Sequence, residues 1–222
     1  MLIPLTPDIV LNAYSCGIFP MAENHTDTDV FWVNPKMRGI IPLDNFHIPR
    51  SLSKKIRSGQ YMISVNRNFR HVISACAMIN SDRPESWINE SIIDVYCQLQ
   101  DIGHAHSVEC WLDDDLVGGL YGVSIGAAFF GESMFSKKTN ASKVALVYLI
   151  ERLINSGFFL LDTQFVTPHL KTFGAIEITR ERYIEKLNIA IQRNAEFCSS
   201  NYPPICGAAP ELWTTQLRTH IS

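Results

Sequence analysis

Residues 106–112 (HSVECWL), 116–124 (LVGGLYGVS) and 127–135 (AAFFGESMF) decide the architecture. They are three consecutive runs of strand-forming residues, separated by Asp113-Asp114-Asp115 and by a turn at Ile125-Gly126. Links that short join antiparallel neighbours, so the three runs predict a meander. After them the period changes. Residues 141–156 carry apolar side chains at helical spacing, behind Asn140 as N-cap and ahead of Gly157 as a stop. The run 158–162 (FFLLD) then reads as a buried strand returning beside the meander.

Upstream, residues 66–80 place Phe69, Val72, Ile73, Cys76 and Ala77 at helical spacing, and Asn89 caps a further helix ended by Gly103. Thr6, Pro7 and Gly17 bracket a first helix as N-cap, first-turn proline and C-terminal stop. The stretch 19–42, rich in Pro, Asn and Asp, reads as loops with short strands. Residues 1–45 are therefore expected to form a small N-terminal lobe, and 46–222 the main domain. A last helix is expected over 179–196, followed by an irregular tail from 199. Meander, helix and returning strand, in that order, are the core of the GNAT acyltransferase fold, an α+β architecture. Fold alone does not name a reaction.

Composition narrows the classes. With 46% hydrophobic and 18% charged residues, the 222-residue chain can bury a core without staples. The opening MLIPL lacks the basic start of a signal peptide, and the apolar stretch 144–154 is shorter than a membrane span and carries Glu151 and Arg152. A cytoplasmic protein with no membrane partner is expected. Six scattered cysteines without a Cys-x-x-Cys pair suit reduced thiols better than zinc or disulfides, and no metal or organic cofactor is implied. Without a heptad pattern, a monomer is expected. The net charge of −3 hides a basic stretch: between Lys36 and His71 stand eight basic residues and one acid, Asp44. Such a surplus in an acidic protein suits a polyanion, although a solvated helix face would look the same.

Ordinary catalytic signatures are missing: there is no G-x-S-x-G elbow, P-loop, H-E-x-x-H or dinucleotide fingerprint. Acetyl-CoA-dependent GNAT enzymes place a glycine-rich loop before the long helix, where backbone N–H groups hold pyrophosphate. Here residues 136–143 read SKKTNASK, without glycine, which argues for another acyl donor.

Eight blocks carry a family resemblance: YSCGIFP (14–20), WVNPKMR (32–38), GHAHSVE (103–109), VGGLYGV (117–123), GESMFS (131–136), NASK (140–143), LDTQ (161–164) and FGA (173–175). Together and in this order, they resemble the leucyl/phenylalanyl-tRNA–protein transferases. The resemblance implies a GNAT-like domain that takes Leu-tRNA or Phe-tRNA, with methionine as a third candidate residue. The acceptor would be the N-terminal α-amine of a protein beginning with Lys or Arg, and the product would be marked for degradation. Few catalytic groups are needed, because the ester is already activated and an α-amine has a reference pKa of about 7.7–8.0. Holding the two together can supply roughly 7–11 kcal/mol.

The same resemblance places Glu132 at the reaction centre, orienting the attacking amine or binding the cationic acceptor side chain. It puts Asp162 and Gln164 beside the ester, with Asp162 polarising Gln164. Two apart on a strand, they share a face. Phe129, Met134, Leu146 and Leu149 are expected around the transferred side chain, where one methylene is worth only about 1–3 kcal/mol. Trp87 is the expected stacking partner of the terminal adenine. Met21 stands where many members carry a tryptophan, which puts a second stacking wall in doubt. Arg50, Lys54, Lys55 and Arg57 are expected to share a helix face against acceptor-stem phosphates. His104 and His106 suit local hydrogen bonds better than catalysis. Rival readings are a CoA-dependent acetyltransferase, a tRNA-dependent aminoacyltransferase of another kind, and a tRNA-binding module without activity.

Overall fold

The computed structural model describes residues 5–27, 29–79 and 85–198. The expectations for the first four residues, for residue 80 and for the tail from 199 lie outside them. Helix α1 (Pro7–Ser15) starts as expected, with the Thr6 side chain accepting from the Ile9 amide, and Gly17 beyond its end takes φ +76°. Strands β1 (Phe19–Met21) and β2 (Phe31–Val33) form a small two-stranded sheet. The next elements are β3 (Met37–Ile41), α2 (Arg50–Arg57), β4 (Met62–Val65), α3 (Phe69–Ala77) and α4 (Glu90–Asp101). The meander is β5 (Ala105–Leu112), β6 (Asp115–Ile125) and β7 (Ala128–Ser136). Then come α5 (Ala141–Asn155), β8 (Leu160–Gln164), α6 (Pro168–Lys171), β9 (Ile176–Thr179) and α7 (Arg180–Ile191).

Seven strands make one sheet in the order β4-β5-β6-β7-β8-β3-β9. Every pairing is antiparallel except β7 with β8, the expected return after the α5 crossover. Helices cover both faces. Residues of α1, α3, α4 and α7 share one core with rings such as Tyr121 and Phe130, while α2, α5 and α6 close the other over Phe129 and Leu161. Burying each such side chain stabilises by roughly 1.5–3 kcal/mol, which is why the strands tolerate few polar residues. Gly118 of β6 lets α5 lie against the sheet, because a Cβ there would overlap Ala141.

β3 lies inside the main sheet, between β8 and β9, so the separate small sheet ends before it. Two expectations are corrected. Asn140 precedes α5 but does not cap it. It sits at φ +67° with no side-chain cap bond, and the Ser136 hydroxyl takes the Ser142 amide instead, at 3.1 Å. The last helix stops at Ile191 rather than continuing to 196, and Thr179 is its N-cap.

Candidate active site

The sheet splits where its parallel pair parts. β7 and β8 pair from Ala128↔Leu160 to Phe130↔Asp162 and no further. At that point each strand carries an extra residue. On β7, Tyr121 faces Ser133 and Gly122 faces Gly131, so Glu132 is bulged out of the ladder. On β8, Gly39 faces Gln164 and Ile40 faces Asp162, so Thr163 is the surplus residue. Bulges re-aim side chains and end pairing, and two of them flank this opening. Glycine is required opposite the second: a Cβ on Gly39 would lie 2.8 Å from the Phe165 carbonyl carbon and 2.9 Å from Thr163 Oγ1.

The Glu132 carboxylate is held from three sides. Oε1 accepts from the Tyr14 hydroxyl at 2.6 Å and from Gln164 Nε2 at 2.9 Å, and Oε2 accepts from the Tyr96 hydroxyl at 3.3 Å. Burial pushes its pKa up to about 7, and the nearby Asp162 charge adds to the rise. The Tyr14, Gln164 and Tyr96 hydrogen bonds pull the other way and do not offset burial. Burial first, and then the Glu132 charge, raise both tyrosines well above the usual phenol value, so they stay protonated donors. The carboxyl therefore changes charge near neutral pH inside a fixed cradle.

Asp162 is fully buried. Its carboxylate is gripped by Arg38, with Nε at 2.9 Å and Nη2 at 2.6 Å, and by the Tyr183 hydroxyl at 2.7 Å. Burial alone would lower the Arg38 pKa, but Asp162 outweighs it and the guanidinium stays charged. That guanidinium stacks between the rings of Phe19 and Tyr183 and donates to the Gly17 carbonyl. Asp162 accepts the backbone N–H of Gln164 at 2.7 Å. Gln164 adopts φ +62°, outside regular strand geometry. A non-glycine residue in that region costs on the order of 1–3 kcal/mol, and here the Asp162 bond and the Glu132 bond hold it in place.

A cavity of about 340 Å³ opens at this point. Glu132 and Gln164 stand in its wall, and Met134, Leu146 and Leu149 supply apolar lining together with Leu161. Trp87 also lines it. Phe129 does not: its ring lies on the α5 side of the sheet, against Phe158 and Phe197. Met21 packs against the first core rather than into the cavity, although the neighbouring Ala22 amide bonds the Trp87 carbonyl at 3.1 Å. Four residues of the site carry no role in the sequence reading. Tyr14 and Arg38 fall inside the quoted blocks, and Tyr96 and Tyr183 look like ordinary helix residues. Their partners stand far away in sequence, so only the aromatic-rich blocks themselves hint at them.

On α2, Leu52, Ser53 and Ile56 are buried, leaving Arg50, Lys54 and Arg57 exposed on the other face. Lys55 turns back to Gln60 and over the Tyr61 ring. His104 and His106 lie in a different cavity. His106 bonds Asn66 and Ser124 and stacks on Phe197, and burial, first of several causes, lowers its pKa to about 3. Among the described residues no His, Cys, Asp and Glu cluster could hold a metal, and no helix is long and apolar enough to cross a membrane.

A carboxylate and a carboxamide beside an apolar recess could align an amine with an acyl donor. Residues 40–188 match the family model of the leucyl/phenylalanyl-tRNA protein transferase, and residues 4–36 match the model of its N-terminal domain. The chain belongs to that family, which makes it an aminoacyltransferase. It is 55% identical over 193 residues to the leucyl/phenylalanyl-tRNA–protein transferase of Rhodopseudomonas palustris strain BisB18, covering 87% of this chain and 84% of that one. To the transferase of the same description from Zymomonas mobilis it is 55% identical over 187 residues, 84% of this chain and 70% of that one. Among solved structures, L-PGS from Bacillus licheniformis aligns at 16% identity with a TM-score of 0.41, over 69% of this chain and 51% of that one, a likeness too slight to carry an argument.

Proposed function

We propose that this chain transfers leucine or phenylalanine from aminoacyl-tRNA to the N-terminal α-amine of proteins beginning with Lys or Arg, in the cytoplasm and as a monomer, and that the product is marked for degradation. The single observation that carries the reading is the bulged Glu132, whose carboxylate is fixed by Tyr14, Tyr96 and Gln164 at the wall of an apolar cavity. The parted β7–β8 pair beneath α5 supports a GNAT-like domain turned to a donor other than CoA.

In this reading the neutral α-amine attacks the ester carbonyl, an amide bond forms, and the ester bond to the ribose oxygen breaks. Glu132, as carboxylate, accepts a hydrogen bond from the amine and takes the proton that the amine loses on attack. It is thereby neutralised, and then releases the proton to the leaving oxygen. That proton finally resides on the departing ribose hydroxyl. A glutamine is a poor base, so Gln164 orients Glu132 and the ester rather than abstracting a proton. Asp162 acts through Gln164, by fixing its backbone. Met134, Leu146 and Leu149 take the transferred side chain, Trp87 stacks on the terminal adenine, and the exposed face of α2 meets acceptor-stem phosphates, with Lys55 at its margin. Stacking of that kind is worth about 1–3 kcal/mol per base.

Intact mass spectrometry tests the reading. After incubation with Leu-tRNA, a protein beginning with Arg should gain one leucyl residue at its N-terminus, and the same protein beginning with Glu should gain none. Addition to both would remove the acceptor rule, and addition to neither would remove the reaction.

A further inference from the structure

A polar group in the cavity wall is left unused by this mechanism. His169, on α6, lines the same cavity as Glu132 and Gln164. Its Nε2 atom is buried and has no hydrogen-bond partner among the described residues. Buried polar side-chain atoms are nearly always paired, so an orphan in a cavity wall points to a ligand group.

The ring is not there by looseness of the loop. α6 is capped by the Thr167 hydroxyl, which accepts from the Leu170 amide at 3.2 Å. The imidazole rests edge-on against Phe173, with ring centroids 5.4 Å apart, and Phe173 is itself fully buried. Only four residues separate His169 from Gln164 along the chain, so the orphan atom belongs to the segment that leads away from the reaction centre.

Resting on the function proposed above, we infer that His169 Nε2 engages the donor tRNA, at the ribose hydroxyl next to the aminoacyl ester. The other parts of the donor already have partners of matching chemistry. The side chain meets the apolar lining, and the ester meets Gln164 and Glu132. Phosphates want a cation, and His169 is not one: burial, and then the charge of Lys143, lower its pKa below the usual imidazole value. A cationic amine would also be poorly placed within reach of Lys143. A hydroxyl both donates and accepts, and a neutral imidazole nitrogen meets it in either tautomer.

The test uses Leu-tRNA esterified on the 3′ oxygen, with the terminal adenosine either intact or lacking the 2′ hydroxyl. Transfer to an Arg-ended protein is measured for the wild type, His169→Phe and His169→Gln. With the intact donor, His169→Phe should lower kcat/KM about tenfold, the worth of one buried hydrogen bond, while His169→Gln, which sets a polar atom near Nε2, keeps most of it. With the 2′-deoxy donor the three enzymes should differ by less than about twofold, because the hydroxyl is already gone. Equal activity of His169→Phe and wild type on the intact donor would overturn the inference. So would the same loss on both donors, and His169→Gln decides that comparison if His169→Phe folds poorly. Failure of the wild type on the intact donor would instead sink the proposed function itself.

Discussion

Gln164 and Glu132, 32 residues apart in the chain, meet through a 2.9 Å hydrogen bond across the gap where β7 and β8 part. Each reaches that contact by leaving regular strand geometry, Glu132 through a bulge and Gln164 through a positive φ. The site is thus built from two local defects in one sheet, and its parts can be separated by substitution and by pH.

Transfer should rise as pH increases through about 7, where Glu132 becomes the carboxylate that receives the amine. The acceptor α-amine, with a reference pKa of about 7.7–8.0, should add a second rise above it. Glu132→Gln should lose the lower limb and reduce kcat by at least about a hundredfold. The check is a kcat profile from about pH 5.5 to about 9 for both enzymes, a range that spans both ionisations.

Stability should move in the opposite sense. The folded-state pKa of Glu132 is raised to about 7 from its ordinary 4.5, so between those values the folded state binds more protons than the unfolded one. Stability therefore falls as pH rises across that window. Glu132→Gln removes this cost and should be more stable than the wild type at about pH 8 by on the order of 1–3 kcal/mol, with the difference closing toward about pH 4.5. Urea unfolding at the two pH values measures it.

Asp162 and Gln164 should part company when mutated. Asp162→Ala leaves the buried Arg38 guanidinium without its partner and should cost roughly 3–5 kcal/mol of stability as well as turnover. Gln164→Ala removes the carboxamide that bonds Glu132 and should depress turnover at nearly unchanged tRNA affinity, with a stability loss of about 1–2 kcal/mol, smaller than that of Asp162→Ala. Thermal melts beside kinetics distinguish the two, and a Gln164 variant as unstable as the Asp162 variant would contradict the division.

Donor preference should follow cavity volume. Leu146→Ala or Leu149→Ala enlarges the apolar end and should shift the ratio of kcat/KM toward Phe-tRNA over Leu-tRNA by about tenfold, within the roughly 1–3 kcal/mol a methylene is worth. Phe129→Leu, outside the cavity lining, should leave the ratio unchanged while lowering stability. Competition between the two charged tRNAs gives the ratio directly.

Neutralising Lys54, Lys55 and Arg57 together should weaken tRNA binding and flatten its salt dependence, by up to about 0.9 in log–log slope for each phosphate that no longer meets a cation. kcat at saturating tRNA should hardly move. Titrations at several salt concentrations, set beside single-turnover rates, test both halves.

Much of the frame is legible in the sequence, because its signals are local. The meander, α5 and β8 follow from period changes and turn residues, and the buried and exposed faces of α2 follow from spacing alone. That β3 joins the main sheet is not legible, because its partners β8 and β9 both lie more than a hundred residues downstream. The cap expected at Asn140 fails because Ser136, at the end of β7, reaches the helix first. Glu132, Asp162 and Gln164 come only from the family resemblance, and no periodicity marks a bulge or a positive φ. The Arg38–Asp162 pair spans 124 residues and the Tyr14–Glu132 bond 118, distances across which a sequence pattern carries no signal.

The Glu132–Gln164 contact itself is tested by a single-turnover assay at saturating enzyme, with Leu-tRNA labelled in the amino acid, an Arg-ended protein, and either the wild type or Gln164→Ala. Label should pass to the protein with the wild type, and with the variant the rate should be lower by at least about tenfold at unchanged tRNA binding. Equal rates for the two enzymes would contradict this and move the chemistry away from that contact.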